Sequence, residues 1–87
     1  MRKISFLPDA FEHYDFRAGE NKKTYARINE IIKDIGRSPF SGIGKPEPLR
    51  HDLKGLWSRR ITDEHRPVYK INDEEITIYS CRFHYSK

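Results

Sequence analysis

The sequence predicts an α+β domain in which two N-terminal helices pack on one face of a small, mainly antiparallel twisted sheet. Apolar residues recur at helical spacing only in the first part of the chain, up to about residue 35. Three strand-like segments follow residue 55, beyond a stretch rich in proline and glycine. Helices and strands that are segregated in this way are typical of an α+β fold. The expected order is β-α-α-β-β-β, in a single domain spanning residues 1–87.

The first two predicted elements are short. Lys3-Ile4-Ser5-Phe6 alternates in the manner of a strand. Pro8 suits the first position of a helix, whose apolar stripe consists of Ala10, Phe11 and Tyr14. Leu7 has no side chain that could cap this helix, so we expect it to be short.

A longer helix is predicted from about Asn21 to Ile35. Its apolar face is formed by Tyr25, Ile28, Ile31, Ile32 and Ile35. Gly36 is a natural C-terminal stop, and Pro39 prevents the helix from continuing.

The remainder is predicted as a loop followed by three strands. Residues 38–53 contain several prolines and glycines and form an ordered loop at best. The predicted strands are Leu56–Ile61, Arg66–Ile71 and Ile76–Phe83. Pro67 cannot donate a ladder hydrogen bond, which predicts a bulge beside Arg66.

Strand alternation predicts which arginines face solvent. Trp57, Arg59 and Ile61 share the face that would meet the helices, and Arg60 points the other way. If the turn after Ile61 leaves Arg60 opposite Arg66, both arginines project from the open face. Two such cations would be stabilised by an anion lying between them. A two-residue turn would instead separate them.

Composition narrows the class of partner and the compartment. The net charge of +4 and the pI near 9.3 favour an anionic partner such as nucleic acid. This charge is too small to hold free RNA tightly at cellular salt, so a bulky platform is expected to present the substrate. The single cysteine, Cys81, excludes an internal disulfide and fits a reducing compartment. No apolar run approaches the ~18 residues of a membrane span, so we expect a cytoplasmic protein that makes no membrane contact.

Several polar residues have the chemistry of a nuclease. Glu47 lies between two prolines and could act as a base on a stiff loop, and His84 lies near the C-terminus. Each has a plainer alternative, because Glu47 could be an exposed loop carboxylate and His84 a solvated residue. The arginines could be solvated or paired with Asp63 and Glu64. The histidines and the cysteine lack metal-ligand spacing, so neither a metal nor a cofactor is expected.

Four blocks of sequence point to a known family. They are Lys45-Pro46-Glu47-Pro48-Leu49, Trp57-Ser58-Arg59-Arg60-Ile61, His65-Arg66-Pro67-Val68-Tyr69 and Cys81-Arg82-Phe83-His84-Tyr85. These blocks closely resemble, in the same order, the YoeB-like toxins of the RelE/ParE superfamily. The resemblance implies a RelE-like fold of the microbial-ribonuclease type and a ribosome-dependent mRNA endonuclease. Its implied partners are a YefM-like antitoxin, mRNA, and the ribosomal A site with its 16S rRNA, while homodimerisation stays open.

The resemblance also implies individual roles. Glu47 corresponds to the general base, Arg66 to an arginine that stabilises the transition state, and His84 to the general acid. The substrate-binding positions are Arg50, Arg60 and Tyr85, the last of which is followed by Ser86-Lys87. Arg50 stands where relatives often have lysine, so a planar guanidinium replaces a compact ammonium group. Two other readings stay open: a non-catalytic ribosome- or RNA-binding module, and a ParE-like toxin that inhibits a topoisomerase.

Overall fold

Along the chain, two helices lie between the first strand and the other four strands of a five-stranded sheet. The computed structural model describes residues 2–62 and 65–81. Its elements are β1 (Lys3–Phe6), α1 (Pro8–Glu20), α2 (Lys22–Arg37), β2 (Glu47–Pro48), β3 (Leu56–Ser58), β4 (Val68–Ile71) and β5 (Glu75–Ser80). The strand order is β1-β5-β4-β3-β2, with β1 parallel to β5 and the other three pairs antiparallel. The predicted α+β fold, with its mainly antiparallel sheet, is confirmed.

The first helix is longer than the sequence predicted. Helix α1 has 13 residues, and its first helical hydrogen bond runs from the Phe11 amide to the Leu7 carbonyl at 2.9 Å. Packing stabilises it. Ala10 is fully buried, and the ring of Tyr14 lies 5.2 Å from that of Phe6. The expectation of a short helix was wrong because tertiary contacts outweigh a missing cap.

Helix α2 agrees with the prediction at its start but not at its end. Asn21 is the N-cap, and its Oδ1 accepts the Thr24 amide at 3.1 Å. Gly36 was expected to stop the helix, yet it lies inside it and is buried, and Ser38 is the C-cap. The Ser38 amide donates to the Asp34 carbonyl at 2.7 Å, which extends the helical bonding past the glycine. In the part of the chain covered by the structure, no helix is long and apolar enough to cross a membrane.

The core lies between the two helices and the sheet, and a polar contact joins the helices beside it. Its fully buried isoleucines are Ile28, Ile31, Ile35, Ile76 and Ile78. Between α1 and α2, the Tyr14 hydroxyl donates to Asn29 Oδ1 at 2.6 Å and lies 3.2 Å from the Tyr25 hydroxyl. Burial and the bond to Tyr25 raise the pKa of Tyr14 to about 12, so its proton stays in place at neutral pH.

The strands are shorter than predicted, but the expected pairing extends beyond them. Ser58 pairs with Val68, and the Ile61 amide donates to the His65 carbonyl at 2.8 Å. This register places Arg60 opposite Arg66. Of the two turns considered from the sequence, the one that keeps these arginines opposite each other is therefore present. The bulge predicted beside Arg66 is instead an irregularity of the β4–β5 pair, between Val68 and Tyr69. The predicted end of the last strand, Phe83, lies outside the described residues.

Candidate active site

Glu47 lies on an edge strand rather than in the loop that the sequence predicted. It is the first residue of β2, where it pairs with Ser58, and Pro48 pairs with Trp57. Strand β2 is at the edge of the sheet, so the missing amide of Pro48 is tolerated. The Glu47 side chain is 56% exposed. A carboxylate is therefore held by a paired backbone and open to solvent.

The carboxylate of Glu47 faces the guanidinium of Arg66. Glu47 Oε1 lies 3.6 Å from Arg66 Nη1, close enough for an ion pair but beyond hydrogen-bond distance. The Arg66 side chain is 20% exposed. Within residues 2–62 and 65–81, Glu47 is the ion-pair partner of Arg66. The residues predicted to be the base and the transition-state arginine are thus neighbours. Within the described part of the chain, N–H groups of Arg66 remain for another acceptor.

Arg60 lies two residues past the end of β3. Its amide donates to the Gly44 carbonyl, which attaches the segment before β2 to the end of β3. The preceding side chain, Arg59, points to the helices, so alternation directs Arg60 to the opposite face. The continued β3–β4 register sets Arg60 opposite Arg66.

A shallow open depression adjoins Glu47. Besides Glu47 it is lined by Pro48, Leu49, Arg50, His51 and Leu53, where a single 3-10 turn (His51–Leu53) follows β2. Arg50 is exposed at its rim. The structure thus places Glu47 beside Arg66 and also beside a depression that Arg50 lines. The other predicted site residues, His84 and Tyr85, lie outside the described residues, as do Asp63 and Glu64, the alternative partners of the arginines.

Sequence reasoning placed Arg59 on the helix side but did not predict its partners. The side chain is fully buried, and all five N–H groups of the guanidinium are hydrogen-bonded at 2.5 to 3.0 Å. The acceptors are the Tyr69 hydroxyl, Asp34 Oδ2, and the carbonyls of Ser38, Ser41 and Ile43. One signal was available: two adjacent arginines in a strand must point to opposite faces, so one of them faces the helices and needs partners there.

Asp34 completes this buried group from α2. Its Oδ2 lies 2.7 Å from Arg59 Nη1 and also accepts the Ile43 amide at 3.1 Å. The hydrogen bond from Arg59 holds the pKa of Asp34 below its ordinary value, against the opposing effect of burial. The carboxylate is therefore charged at neutral pH, and the pair joins α2, β3 and the segment before β2.

Comparison with known proteins identifies the family. A model of the YoeB-like toxin of bacterial type II toxin–antitoxin systems matches residues 6–85. The chain belongs to the YoeB-like toxin family.

Relatives match over nearly the whole chain. Toxin YoeB of Mycobacterium bovis is 53% identical over 85 residues, which cover 98% of this chain and all of that protein. The YoeB/ParE toxin from Agrobacterium tumefaciens superposes with a TM-score of 0.91 at 40% identity, covering 95% of this chain and 99% of that one. The YoeB–YefM complex from Staphylococcus aureus gives 0.87 at 48% identity, with coverages of 98% and 99%. A YoeB dimer from the same species gives 0.88 at 47% identity, with coverages of 97% and 98%. The family read from the four sequence blocks and its RelE-like fold are confirmed.

Proposed function

We propose that this YoeB-like toxin is a ribosome-dependent endoribonuclease that cleaves mRNA in the ribosomal A site without a metal ion, and so inhibits translation. The observation that carries the proposal is the 3.6 Å approach of the Glu47 carboxylate and the Arg66 guanidinium beside an open depression. Attack on a phosphodiester requires a base that removes the proton of the nucleophile and a nearby cation whose N–H groups bind the phosphoryl oxygens.

The proposed reaction uses the nucleophile that RNA itself carries. Glu47 takes the proton of the 2′-hydroxyl, whose oxygen then attacks the adjacent phosphorus. Arg66 and Arg60 stabilise the negative charge that gathers on the phosphoryl oxygens, and Arg50 binds a neighbouring phosphate. His84, whose role rests on the family resemblance, protonates the departing 5′-oxygen, and Tyr85 closes the site over the substrate. The products are a 2′,3′-cyclic phosphate, which water can open to a 3′-phosphate, and a 5′-hydroxyl.

The exposure of Glu47 gives a physical reason for dependence on the ribosome. A glutamate in water is a weak base at neutral pH. Enclosure of the site by the A site, with its 16S rRNA, would remove water and strengthen the base. A net charge of +4 also gives limited affinity for free RNA at cellular salt. The ribosome therefore both presents the mRNA and completes the site.

The proposed partners include an inhibitor. A YefM-like antitoxin is expected to place acidic and apolar residues against the cationic face around Arg60 and Arg66. The Staphylococcus aureus relative in complex with YefM supports this partner, and the dimer from that species supports a homodimer. Action on ribosomes places the protein in the cytoplasm. A pull-down of the antitoxin at rising salt tests the ionic part of the contact, because an interaction indifferent to salt would contradict it.

Primer extension on purified ribosomes stalled at a defined codon tests the activity directly. A cut within the A-site codon, with a 2′,3′-cyclic phosphate on the upstream fragment, is the expected result. A ribosome that stalls on uncut mRNA would instead indicate a binding module. An absence of any effect on translation, together with loss of supercoiling activity in a gyrase assay, would favour the topoisomerase-directed class of toxin.

A further inference from the structure

The segment 38–44 wraps around one side chain. The carbonyls of Ser38, Ser41 and Ile43 all turn inward and accept hydrogen bonds from the Arg59 guanidinium. The Tyr69 hydroxyl accepts a bond from Arg59 Nε and donates to the Pro39 carbonyl at 3.0 Å. Backbone carbonyls along this segment are thus satisfied by Arg59 and by the tyrosine that Arg59 contacts.

The segment is also shaped to fit the carboxylate of Asp34. Gly42 has φ +119°, and a Cβ on it would lie 2.0 Å from Asp34 Oδ2 and 3.4 Å from Arg59 Nη1. The next amide, that of Ile43, donates to the same oxygen. Only a glycine lets the backbone pass this closely over the ion pair.

The segment leads directly into the site. The Gly44 carbonyl accepts the Arg60 amide, and Glu47 follows three residues later with a proline on either side. Prolines restrict the backbone, so a displacement at residues 43–44 is carried to Glu47 rather than absorbed. A shift of about 1 Å in a reacting group can lower a rate by about 10²-fold.

We propose that Arg59 is a positioning residue for Glu47. Its buried guanidinium, paired with Asp34, fixes the 38–44 segment, and this sets the distance between the Glu47 carboxylate and Arg66. The role in catalysis rests on the proposed function of Glu47. The two adjacent arginines then have separate tasks: Arg59 holds the backbone from the helix side, and Arg60 serves the substrate from the opposite side.

Replacement of Arg59 by lysine tests the proposal. Arg59→Lys keeps a cation beside Asp34, but one ammonium cannot span the three carbonyls that the planar fork reaches. We expect a folded protein whose kcat for ribosome-dependent cleavage falls about 10-fold or more, with KM unchanged. Hydrogen exchange should accelerate about 10-fold at the amides of Ile43 and Leu49, which are bonded to Asp34 Oδ2 and to the Leu56 carbonyl.

Reference amides and a matched variant control for general destabilisation. The amides of Leu7 and Asn72, bonded to the carbonyls of Ile78 and Glu75, should keep their exchange rates. Arg37→Lys is the matched control, because Arg37 Nη2 lies 3.8 Å from Asp34 Oδ1 but its side chain is 64% exposed. Its exchange rates and its kcat should equal those of the parent protein.

Each outcome decides the matter. Unchanged exchange at Ile43 and Leu49 would overturn the proposal, and so would an equal acceleration at all four amides or a rise in KM with kcat intact. If Arg59→Lys fails to fold, Tyr69→Phe removes one acceptor of Arg59 and the donor to Pro39, and the same measurements apply. If the parent protein cuts no mRNA, the proposed function fails, while the exchange rates still show whether Arg59 fixes the segment.

Discussion

Arg59, just past the end of β3, and Arg66, just before the start of β4, lie on opposite faces of the sheet. Arg59 faces the helices, is fully buried, and has an acceptor for each of its five N–H groups. Arg66 is one-fifth exposed, and its ion-pair partner within residues 2–62 and 65–81 is Glu47, whose Oε1 lies 3.6 Å away. A guanidinium whose donors are all used inside the protein has none left for a substrate, whereas Arg66 still has donors for a phosphate. Hydrogen-bond saturation therefore distinguishes the buried structural arginine from the arginine that we propose binds the substrate.

The largest effect on stability should come from removing Arg59, whose N–H groups are all hydrogen-bonded. Arg59→Ala leaves Asp34 and three carbonyls without their donor, and is expected to lower the free energy of unfolding by about 3–5 kcal/mol. An 87-residue domain has about 4–13 kcal/mol in total, so this variant should lose a large fraction of its stability. Urea denaturation followed by the fluorescence of Trp57, the single tryptophan, measures the change. Arg66→Ala, the comparison on the other face, should cost less than about 1 kcal/mol; equal losses would remove the distinction.

Substitutions on the opposite face of the sheet should lower cleavage activity rather than stability. Glu47→Gln keeps the shape of the side chain but removes the base, and is expected to lower ribosome-dependent cleavage by about 10²-fold or more, or about 2.7 kcal/mol in the barrier. Because Glu47 is more than half exposed, the free energy of unfolding should change by less than about 0.5 kcal/mol. Single-turnover cleavage and urea denaturation of the same preparation measure both. His84→Ala is expected to lose a similar factor, and near-parental cleavage by either variant would refute that role.

The ion pair beneath the segment 38–44 should make stability depend on acid. The bond from Arg59 holds the pKa of Asp34 below its ordinary value of 3.8. The stabilisation is therefore complete above about pH 4 and is lost as the pH falls through the lowered folded pKa. Asp34→Asn should cost about 2 kcal/mol at pH 6, where the parent protein is charged, and progressively less below pH 4.

Urea midpoints measured between pH 3 and pH 6 test whether the stabilities of Asp34→Asn and the parent protein converge as the pH falls. Asp73→Asn, on an exposed turn, is the control for the loss of one carboxylate. A gap between Asp34→Asn and the parent protein that stays constant across the range would show that the charge of Asp34 contributes nothing.

The smallest effect should come from an exposed ion pair on α2. Arg27 Nη1 lies 2.9 Å from Glu30 Oε1, with side chains 40% and 60% exposed. Glu30→Gln should therefore change the free energy of unfolding by about 0.5 kcal/mol or less, and the difference should vanish in 1 M salt. This variant sets the baseline for the comparison, since a loss as large as that of Arg59→Ala would mean that burial is not what distinguishes the pairs.

The sequence predicted elements whose signal repeats and missed those set by distant contacts. Several turns of apolar spacing defined α2, and alternation assigned Arg59 and Arg60 to opposite faces. Strand β2 was missed because two residues flanked by prolines show no alternation, and it exists only through its pairing with β3. The end of α2 was misplaced at Gly36 because the bond from Ser38 to Asp34 outweighs the local preference.

The candidate site likewise has residues that the sequence predicted and contacts that it did not. The four family blocks were sufficient to nominate Glu47 and Arg66, which the structure brings together. Three of the five acceptors of Arg59 could not be predicted, since they are backbone carbonyls of a segment with no regular pattern. Residue types can be read along a chain, but hydrogen-bond saturation is a property of the folded state.

The parallel pairing of β1 with β5 has a consequence for folding. Ser5 lies beside Thr77, so the first strand finds its neighbour only after more than seventy further residues have been made. Strands β3, β4 and β5 are joined by short connections and can assemble early, whereas closing the largest chain loop is slow. A nascent molecule thus reaches its final form only after synthesis of residues 75–80, and removing residues 3–6 should leave β5 as an exposed, aggregation-prone edge.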